Sequence, residues 1–277
     1  MMLKTGLIGR AIKASRSPWL HEQEGKAQGL NLTYELFDFT ERGLDDAALG
    51  PLLRRLAGED FSGVNVTFPF KQAVLPLLDA LDESAASVGA VNTVAMRGGQ
   101  LTGYNTDMSG FRDSLEAGLP GRPLDRVLLL GAGGAGSAVA NALLSLGVGV
   151  LEVSDRDATK VASLTVQLAK RYGADRVVAS SAESVTASRI DGIVNATPMG
   201  MASAPGLPIA ESLIENRHWV TDIVYFPLET ELLRVARAKG CRTLDGSGMV
   251  IAQAAAAFEI FTGRKADTAR MRASFGG

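Results

Sequence analysis

Apolar runs of four to six residues alternate along the chain with longer stretches whose apolar positions recur at helical spacing. A short apolar run suits a strand buried on both faces, and an amphipathic stretch between two such runs suits a crossover helix. The pattern predicts strands at Thr5–Ile8, Leu32–Phe37, Gly63–Thr67, Arg126–Leu130, Val150–Ser154, Arg176–Ala179, Gly192–Asn195 and Val220–Ile223. It predicts helices at Pro18–Gln28, Leu44–Ala57, Phe70–Leu78, Met108–Leu115, Gly134–Leu146, Ala158–Tyr172, Thr230–Lys239 and Met249–Phe261, the last of these buried. Asn92–Arg97 and Gln100–Tyr104 flank Gly98-Gly99, the signature of a hairpin with a primed turn. The expected class is α/β, built from βαβ units with mainly parallel sheets.

Gly118-Leu119-Pro120-Gly121-Arg122-Pro123 is a turn-rich joint, and a self-contained nucleotide-type half is expected from there to about residue 244. Two domains with a cleft between them follow from that division.

At 277 residues the chain suits one large or two modest domains, and a 46% hydrophobic composition supplies an ample core. Lys+Arg 28 against Asp+Glu 30 leaves a formal charge of −2, which carries no polyanion-binding footprint. Nucleic acid and acidic membranes are therefore not expected partners. The single Cys241 forms no internal disulfide, and His21 and His218 alone do not furnish a His-rich metal site. The start, Met1-Met2-Leu3-Lys4-Thr5, has no basic-then-apolar export pattern, so a cytoplasmic location is expected. Residues 127–151 run 25 positions without a charge, long enough to span a bilayer, but six glycines interrupt them. Glycine inside a helix costs roughly 1 kcal/mol, so strand, tight turn and buried helix explain the run better.

Gly131-Ala132-Gly133-Gly134-Ala135-Gly136 follows the apolar run Leu128-Leu129-Leu130 and opens a helical pattern. In such a G-x-G-x-x-G turn, Gly131 permits the bend, Gly133 lets backbone amides approach a pyrophosphate, and Gly136 lets helix and strand pack closely. A second strand follows, and just beyond it stands Asp155, 24 residues after Gly131. These are the parts of a Rossmann dinucleotide-binding domain. A carboxylate at Asp155 can accept both ribose hydroxyls of NAD and repels the 2′-phosphate of NADP, so NAD is the expected cofactor. Arg156 can stack on adenine or pair with a 2′-phosphate and soften that preference.

Polar residues gather at predicted strand ends in the first half, where ligands collect in open α/β sheets. Ser15-Arg16-Ser17-Pro18 sits between a strand and a helix, and Ser17 before Pro18 reads as an N-cap. Asn65-Val66-Thr67-Phe68-Pro69-Phe70-Lys71 ends a strand and opens a helix, with Asn65 and Thr67 on one strand face. Ala90-Val91-Asn92-Thr93 and Gly103-Tyr104-Asn105-Thr106-Asp107 surround the hairpin. By local rules Lys71 is a solvated helix lysine and Asp107 a helix cap. Together with the Ser, Thr and Asn side chains they could instead enclose a small polyhydroxylated ligand.

This ordered set resembles the shikimate dehydrogenase family. The later pieces are Asn195-Ala196-Thr197-Pro198-Met199-Gly200, Asp222–Tyr225 and Asp245-Gly246-x-Gly248-Met249 through Gln253, so the likeness runs from about residue 6 to residue 263. The resemblance implies a substrate-binding and catalytic α/β domain over 1–107, completed by C-terminal helices in 246–277, and a Rossmann domain over 108–245. It implies Lys71 and Asp107 as the catalytic pair. It places Ser15, Ser17, Asn65, Thr67, Asn92, Tyr225 and Gln253 against the carboxylate and hydroxyls of a cyclic acid. It also places Thr197, Ile223 and Gly246 along the nicotinamide half of the cofactor, beside the glycine loop Gly131, Gly133, Gly134, Ala135 and Gly136 with Asp155 and Arg156.

Two departures refine this. The family often reads Gly-[Ser/Asn]-Pro ahead of the serine pair, where this chain has Gly9-Arg10-Ala11-Ile12-Lys13-Ala14. Its biosynthetic members prefer NADP and commonly carry Asn-Arg-Thr where this chain has Ser154-Asp155-Arg156. Both features resemble the NAD-using branch that oxidises quinate, shikimate or related compounds, and Ser17 in place of threonine favours shikimate. The expectation is an NAD-dependent shikimate dehydrogenase acting at the C3 hydroxyl. Quinate and aminoshikimate are alternative substrates, and a non-catalytic ligand-sensing homologue is the rival class. A hydroxylated cyclic carboxylate is the expected small-molecule partner, a homodimer is compatible with the pattern, and no metal is expected.

Overall fold

The computed structural model describes residues 2–181 and 189–275. The chain divides into two compact units, one ending at Asp107 and resuming at Ile251, the other running from Met108 to Val250.

The first unit contains β1 (Met2–Gly9), α1 (Ser17–Ala27), β2 (Asn31–Asp38), α2 (Leu49–Gly58), β3 (Phe61–Val66), α3 (Phe70–Ala73), β4 (Ala80–Leu81), α4 (Glu83–Val88), β5 (Thr93–Arg97) and β6 (Gln100–Tyr104). They form a six-stranded sheet in the order β2-β1-β3-β5-β6-β4. β5 alone runs against the others. Its hairpin partner β6 is reached through Gly98 and Gly99, whose φ values of 57° and 79° are the left-handed pair that a primed turn requires. One face of the sheet carries the core of Phe37, Phe39, Leu53, Leu56, Val64, Phe70 and Leu101.

Two of the expected helices are shortened, both because of proline. The stretch predicted as one helix over Phe70–Leu78 is a four-residue α3 followed by a 3-10 turn, Leu75–Leu77. Pro76 has no N–H and its ring clashes with the preceding turn, so the α-helix cannot run through it. The stretch predicted from Leu44 becomes α-helical only at Leu49, after a 3-10 turn over Asp46–Ala48. Pro51 then falls in the first turn of α2, where its missing donor costs nothing.

The second unit holds α5 (Asp107–Gly118, whose first residue belongs to the first unit), β7 (Arg126–Leu130), α6 (Gly134–Ser145), β8 (Val150–Ser154), α7 (Ala158–Tyr172), β9 (Val177–Ala179), β10 (Gly192–Asn195), β11 (Trp219–Asp222), α8 (Glu231–Ala238) and β12 (Arg242–Leu244). The strands are all parallel, in the order β12-β11-β10-β7-β8-β9. This is the doubly wound arrangement of a Rossmann domain, whose order reverses between β7 and β10. The charge-free run is thus β7, the glycine turn and the buried α6. Among the described residues no helix is long and apolar enough to cross a membrane.

α9 (Ser247–Thr262) carries the chain back into the first unit, and α10 (Thr268–Phe275) follows. α10 is tied to α1 by Arg270, which donates to both oxygens of buried Glu24 at 2.7 and 2.8 Å, and by Trp19 Nε1, which donates to the Ser274 carbonyl at 3.0 Å.

Candidate active site

In the first unit, register decides which residues share an edge. Asn65 of β3 lies opposite Thr93 of β5, and Thr93 lies opposite Tyr104 of β6. Because β5 is antiparallel, its beginning sits beside the ends of β3 and β6. β1 ends there too, with Ile8 paired to Val66. The segments bearing Ser15 and Ser17, Thr67 and Lys71, Asn92, and Asp107 therefore all leave from one edge of the sheet.

Lys71 on α3 donates from Nζ to Oδ2 of Asp107, the first residue of α5, at 2.6 Å. Only 17% and 7% of the two side chains is exposed. The α3 backbone is anchored by the Val91 N–H, which donates to the Lys71 carbonyl at 2.8 Å. Local rules made Lys71 a solvated lysine; the structure instead buries most of it against a carboxylate. Removing either partner of such a pair strands a desolvated charge.

The two asparagines are joined through Thr93. Asn65 Nδ2 donates to the Asn92 carbonyl at 3.2 Å and to Thr93 Oγ1 at 2.9 Å, and its Oδ1 accepts from the Tyr34 hydroxyl at 2.8 Å. Thr93 Oγ1 donates to Asn92 Oδ1 at 3.1 Å, which also accepts the Thr106 N–H at 2.9 Å. Asn92 Nδ2 donates to Thr106 Oγ1 at 2.9 Å.

The serine pair differs from the expectation that Ser17 caps its helix. Arg16 occupies the N-cap position of α1, and Ser17 is the first helical residue. It is Ser15 Oγ that accepts the Ser17 N–H, at 3.2 Å. Pro18 is thereby the second helical residue, still within the first turn, where no N–H of its own is needed. The loop leading to Ser15 is held by buried Asp38, which accepts the N–H groups of Ala11 at 3.0 Å, Ile12 at 2.7 Å and Thr40 at 2.9 Å. Burial alone would push the Asp38 carboxyl up, but these backbone donors outweigh it and hold the group below the usual carboxylate range.

In the second unit the reversal between β7 and β10 opens a crevice at the strand ends, where ligands bind in such sheets. Gly131 turns there with φ 107°, and a Cβ on it would stand 2.7 Å from the Ala196 carbonyl oxygen. A Cβ on Gly136 would meet the Gly131 oxygen at 2.0 Å, so only glycine lets α6 start this close to its strand. A Cβ on Gly133 would meet nothing within 4 Å. Gly133, Gly134 and Ala135 are half-buried at the start of the twelve-residue α6, whose first N–H groups have no helical acceptor. That cradle fits a pyrophosphate.

Asp155 is half-buried beyond β8; Oδ2 accepts the Ala132 N–H at 2.8 Å and Oδ1 the Asp157 N–H at 2.9 Å. Arg156 is exposed, with Nη2 3.7 Å from Met199 Sδ. Thr197 is fixed by Asn195, whose Oδ1 accepts its N–H at 3.0 Å and its hydroxyl at 2.7 Å. Ile223 and Tyr225 follow β11, both half-buried, and Gly246 packs so tightly that a Cβ would stand 2.5 Å from the Ile223 oxygen. Gln253 lies in the part of α9 that belongs to the first unit.

Three residues escaped sequence reasoning as site members. Tyr34 sits in the buried phase of β2, and a buried phenol needs a partner, which was the available signal. Asp38 ends the same strand. Asp222, fully buried, accepts Asn195 Nδ2 at 2.9 Å, the Val224 N–H at 3.0 Å and the Thr230 hydroxyl at 2.7 Å. Burial pushes its carboxyl up to about 6, against the pull of those donors.

A family model for the shikimate dehydrogenase substrate binding domain matches residues 7–94, and one for the shikimate 5'-dehydrogenase C-terminal domain matches residues 246–274. A ThiF family model matches residues 123–225, inside the second unit. A shikimate dehydrogenase (NADP(+)) of Arthrobacter sp. (strain FB24) is 49% identical over 272 residues, 98% of this chain and 93% of that one. A quinate/shikimate dehydrogenase (NAD(+)) of Corynebacterium glutamicum (strain R) is 46% identical over 98% of this chain and 96% of its own. Among solved structures, a quinate dehydrogenase from Corynebacterium glutamicum in complex with NAD is similar with a TM-score of 0.90, at 46% identity over 99% of this chain and 98% of that one.

Proposed function

The chain belongs to the shikimate dehydrogenase family of NAD(P)-linked oxidoreductases, and from that premise we propose that it oxidises the C3 hydroxyl of shikimate, reversibly, with NAD. The observation that carries this reading is the 2.6 Å contact between Lys71 Nζ and Asp107 Oδ2, at the sheet edge shared with Asn65, Thr67 and Asn92. Ser15, Ser17, Asn65, Thr67, Asn92, Tyr225 and Gln253 bind the carboxylate and hydroxyls of the substrate. The bound nicotinamide ring supplies the hydride acceptor for the alcohol carbon. The Lys71 ammonium passes a proton to the Asp107 carboxylate and takes the hydroxyl proton in its place, and its positive charge stabilises the alkoxide that develops. Ser15 and Ser17 orient the acid, so that the hydroxyl meets Lys71 in a reactive geometry.

On the cofactor side, the amides of Gly133 to Gly136 take the pyrophosphate, with Gly131 making the turn that presents them. The Asp155 carboxylate takes the ribose hydroxyls and repels a 2′-phosphate. Thr197, Ile223 and Gly246 line the nicotinamide half, and Arg156 flanks the adenosine. Quinate is a second substrate in this reading, supported by the similarity to the Corynebacterium glutamicum quinate dehydrogenase. Initial rates with shikimate and with quinate, each with NAD and with NADP, test the whole reading. It expects turnover of shikimate with a higher kcat/KM for NAD. A clear NADP preference overturns the cofactor assignment, and no turnover of either acid overturns the enzyme reading.

A further inference from the structure

We propose that Tyr34 is a positioning residue for substrate: its hydroxyl holds in place the Asn65 amide, whose sense the Asn92 carbonyl sets, so that Asn65 meets substrate as a hydrogen-bond acceptor while Asn92, turned by the Thr106 N–H, meets it as a donor. This rests on the reading of both asparagines as substrate-binding residues. The direction of every bond in the chain follows from its ends. The Asn92 carbonyl can only accept, so the Asn65 amide must turn its nitrogen there, at 3.2 Å. Asn65 Oδ1 then faces the Tyr34 hydroxyl, which must donate, at 2.8 Å. At the other end the Thr106 N–H can only donate, so it meets Asn92 Oδ1, at 2.9 Å. Thr93 Oγ1, between the two, accepts from Asn65 Nδ2 and donates to Asn92 Oδ1.

The chain leaves each asparagine one kind of capacity. Both Nδ2 hydrogens of Asn65 are used inside the protein, and what remains is a lone pair on Oδ1. Asn92 Oδ1 is crowded by donors, and what remains is one Nδ2 hydrogen. Asn65 therefore recognises a substrate hydroxyl by accepting its proton, and Asn92 by donating to its oxygen. Tyr34 is itself held rigid, with its ring stacked on His21 at 4.7 Å between centroids.

The test is calorimetric titration of shikimate into the full chain, with steady-state KM values for shikimate and NAD, for Tyr34→Phe, Asn65→Ala and the double variant. Tyr34→Phe keeps the stacked ring and removes only the hydroxyl. It is expected to weaken shikimate binding by about 3- to 10-fold, the effect of one neutral hydrogen bond, with the KM for NAD unchanged. In the Asn65→Ala background it should add nothing. If Asn65→Ala weakens shikimate binding while Tyr34→Phe does not, or if the two penalties add, the positioning role is wrong and the site reading stands. If Asn65→Ala binds shikimate normally, the site reading fails and the proposal with it. Should Tyr34→Phe not fold, Thr93→Val cuts the same chain on the other side of the amide; shikimate affinity equal to that of the unmodified chain would then overturn the proposal.

Discussion

Asp155 Oδ2 accepts the backbone N–H of Ala132 at 2.8 Å, so the acid at the end of β8 is tied directly to the glycine turn at the end of β7. The residue that would choose between cofactors thus also helps shape the phosphate cradle. Its charge and its geometry must be separated in any experiment.

Asp155→Asn removes the negative charge and keeps the tie to the glycine turn, because the amide oxygen can still accept the Ala132 N–H, while the Asp157 N–H loses its acceptor. Repulsion of a 2′-phosphate at 4 Å is worth about 1 kcal/mol in water and about 4 kcal/mol near a protein surface, that is, roughly fivefold to a thousandfold. The ratio of kcat/KM for NAD to that for NADP is expected to drop by a factor within that range. A ratio unchanged from the unmodified chain would remove Asp155 from cofactor selection.

Lys71→Ala is expected to lower kcat by about 10²- to 10⁴-fold, the usual size of a proton-transfer contribution. Asp107→Asn should fall in the same direction, since the two side chains form one contact. Dinucleotide affinity, measured by fluorescence titration, should stay as it was in both. A near-normal kcat in Lys71→Ala would exclude it from proton handling.

His21 is fully buried on α1, and neither ring nitrogen has a hydrogen-bond partner. Burial lowers its pKa from 6.5 to about 3, so the folded chain holds it neutral. As pH falls below about 6.5 the unfolded chain takes up the proton first, and stability is lost from there down toward pH 3. His21→Leu abolishes that loss and also removes a buried unpaired polar group, worth about 1–3 kcal/mol. A Tm equal to or above that of the unmodified chain at pH 7, with a shallower decline in acid, is the expected outcome of thermal scans. An unchanged acid decline would refute the assignment.

Asp222 gives the opposite slope. Its carboxyl is raised from 3.8 to about 6 by burial, so the unfolded chain ionises first and stability falls as pH rises from about 4 to about 6. In Asp222→Asn the oxygen can serve Asn195 and Val224, and the amide can donate to Thr230 Oγ1. The difference in Tm between the two chains should therefore change steadily across that interval in favour of the variant. A difference that is flat with pH would show that Asp222 does not titrate there.

By itself the sequence determined what is local. Apolar periodicity marked the strands β7, β8 and β10 at their observed limits and α7 from Ala158 to Tyr172. Gly98-Gly99 marked the hairpin, and the spacing of Gly131, Gly133 and Gly136 marked the turn into α6, because backbone sterics act between near neighbours. A short fragment such as α4 had no periodicity to betray it, and the prolines at 51 and 76 moved helix limits that periodicity alone had drawn too long.

Only the tertiary structure decided partnership. Lys71 and Asp107 are 36 positions apart, and local rules assigned them to solvent and to a cap. They meet because β5 runs antiparallel between β3 and β6, a register that no residue near either one encodes. Tyr34 reaches Asn65 across β1, and Asp222 gathers Asn195 and Thr230, for the same reason. A side chain's alternation along a strand is written in its neighbours, but the hydrogen-bond partner it finds depends on which strand the whole sheet sets beside it.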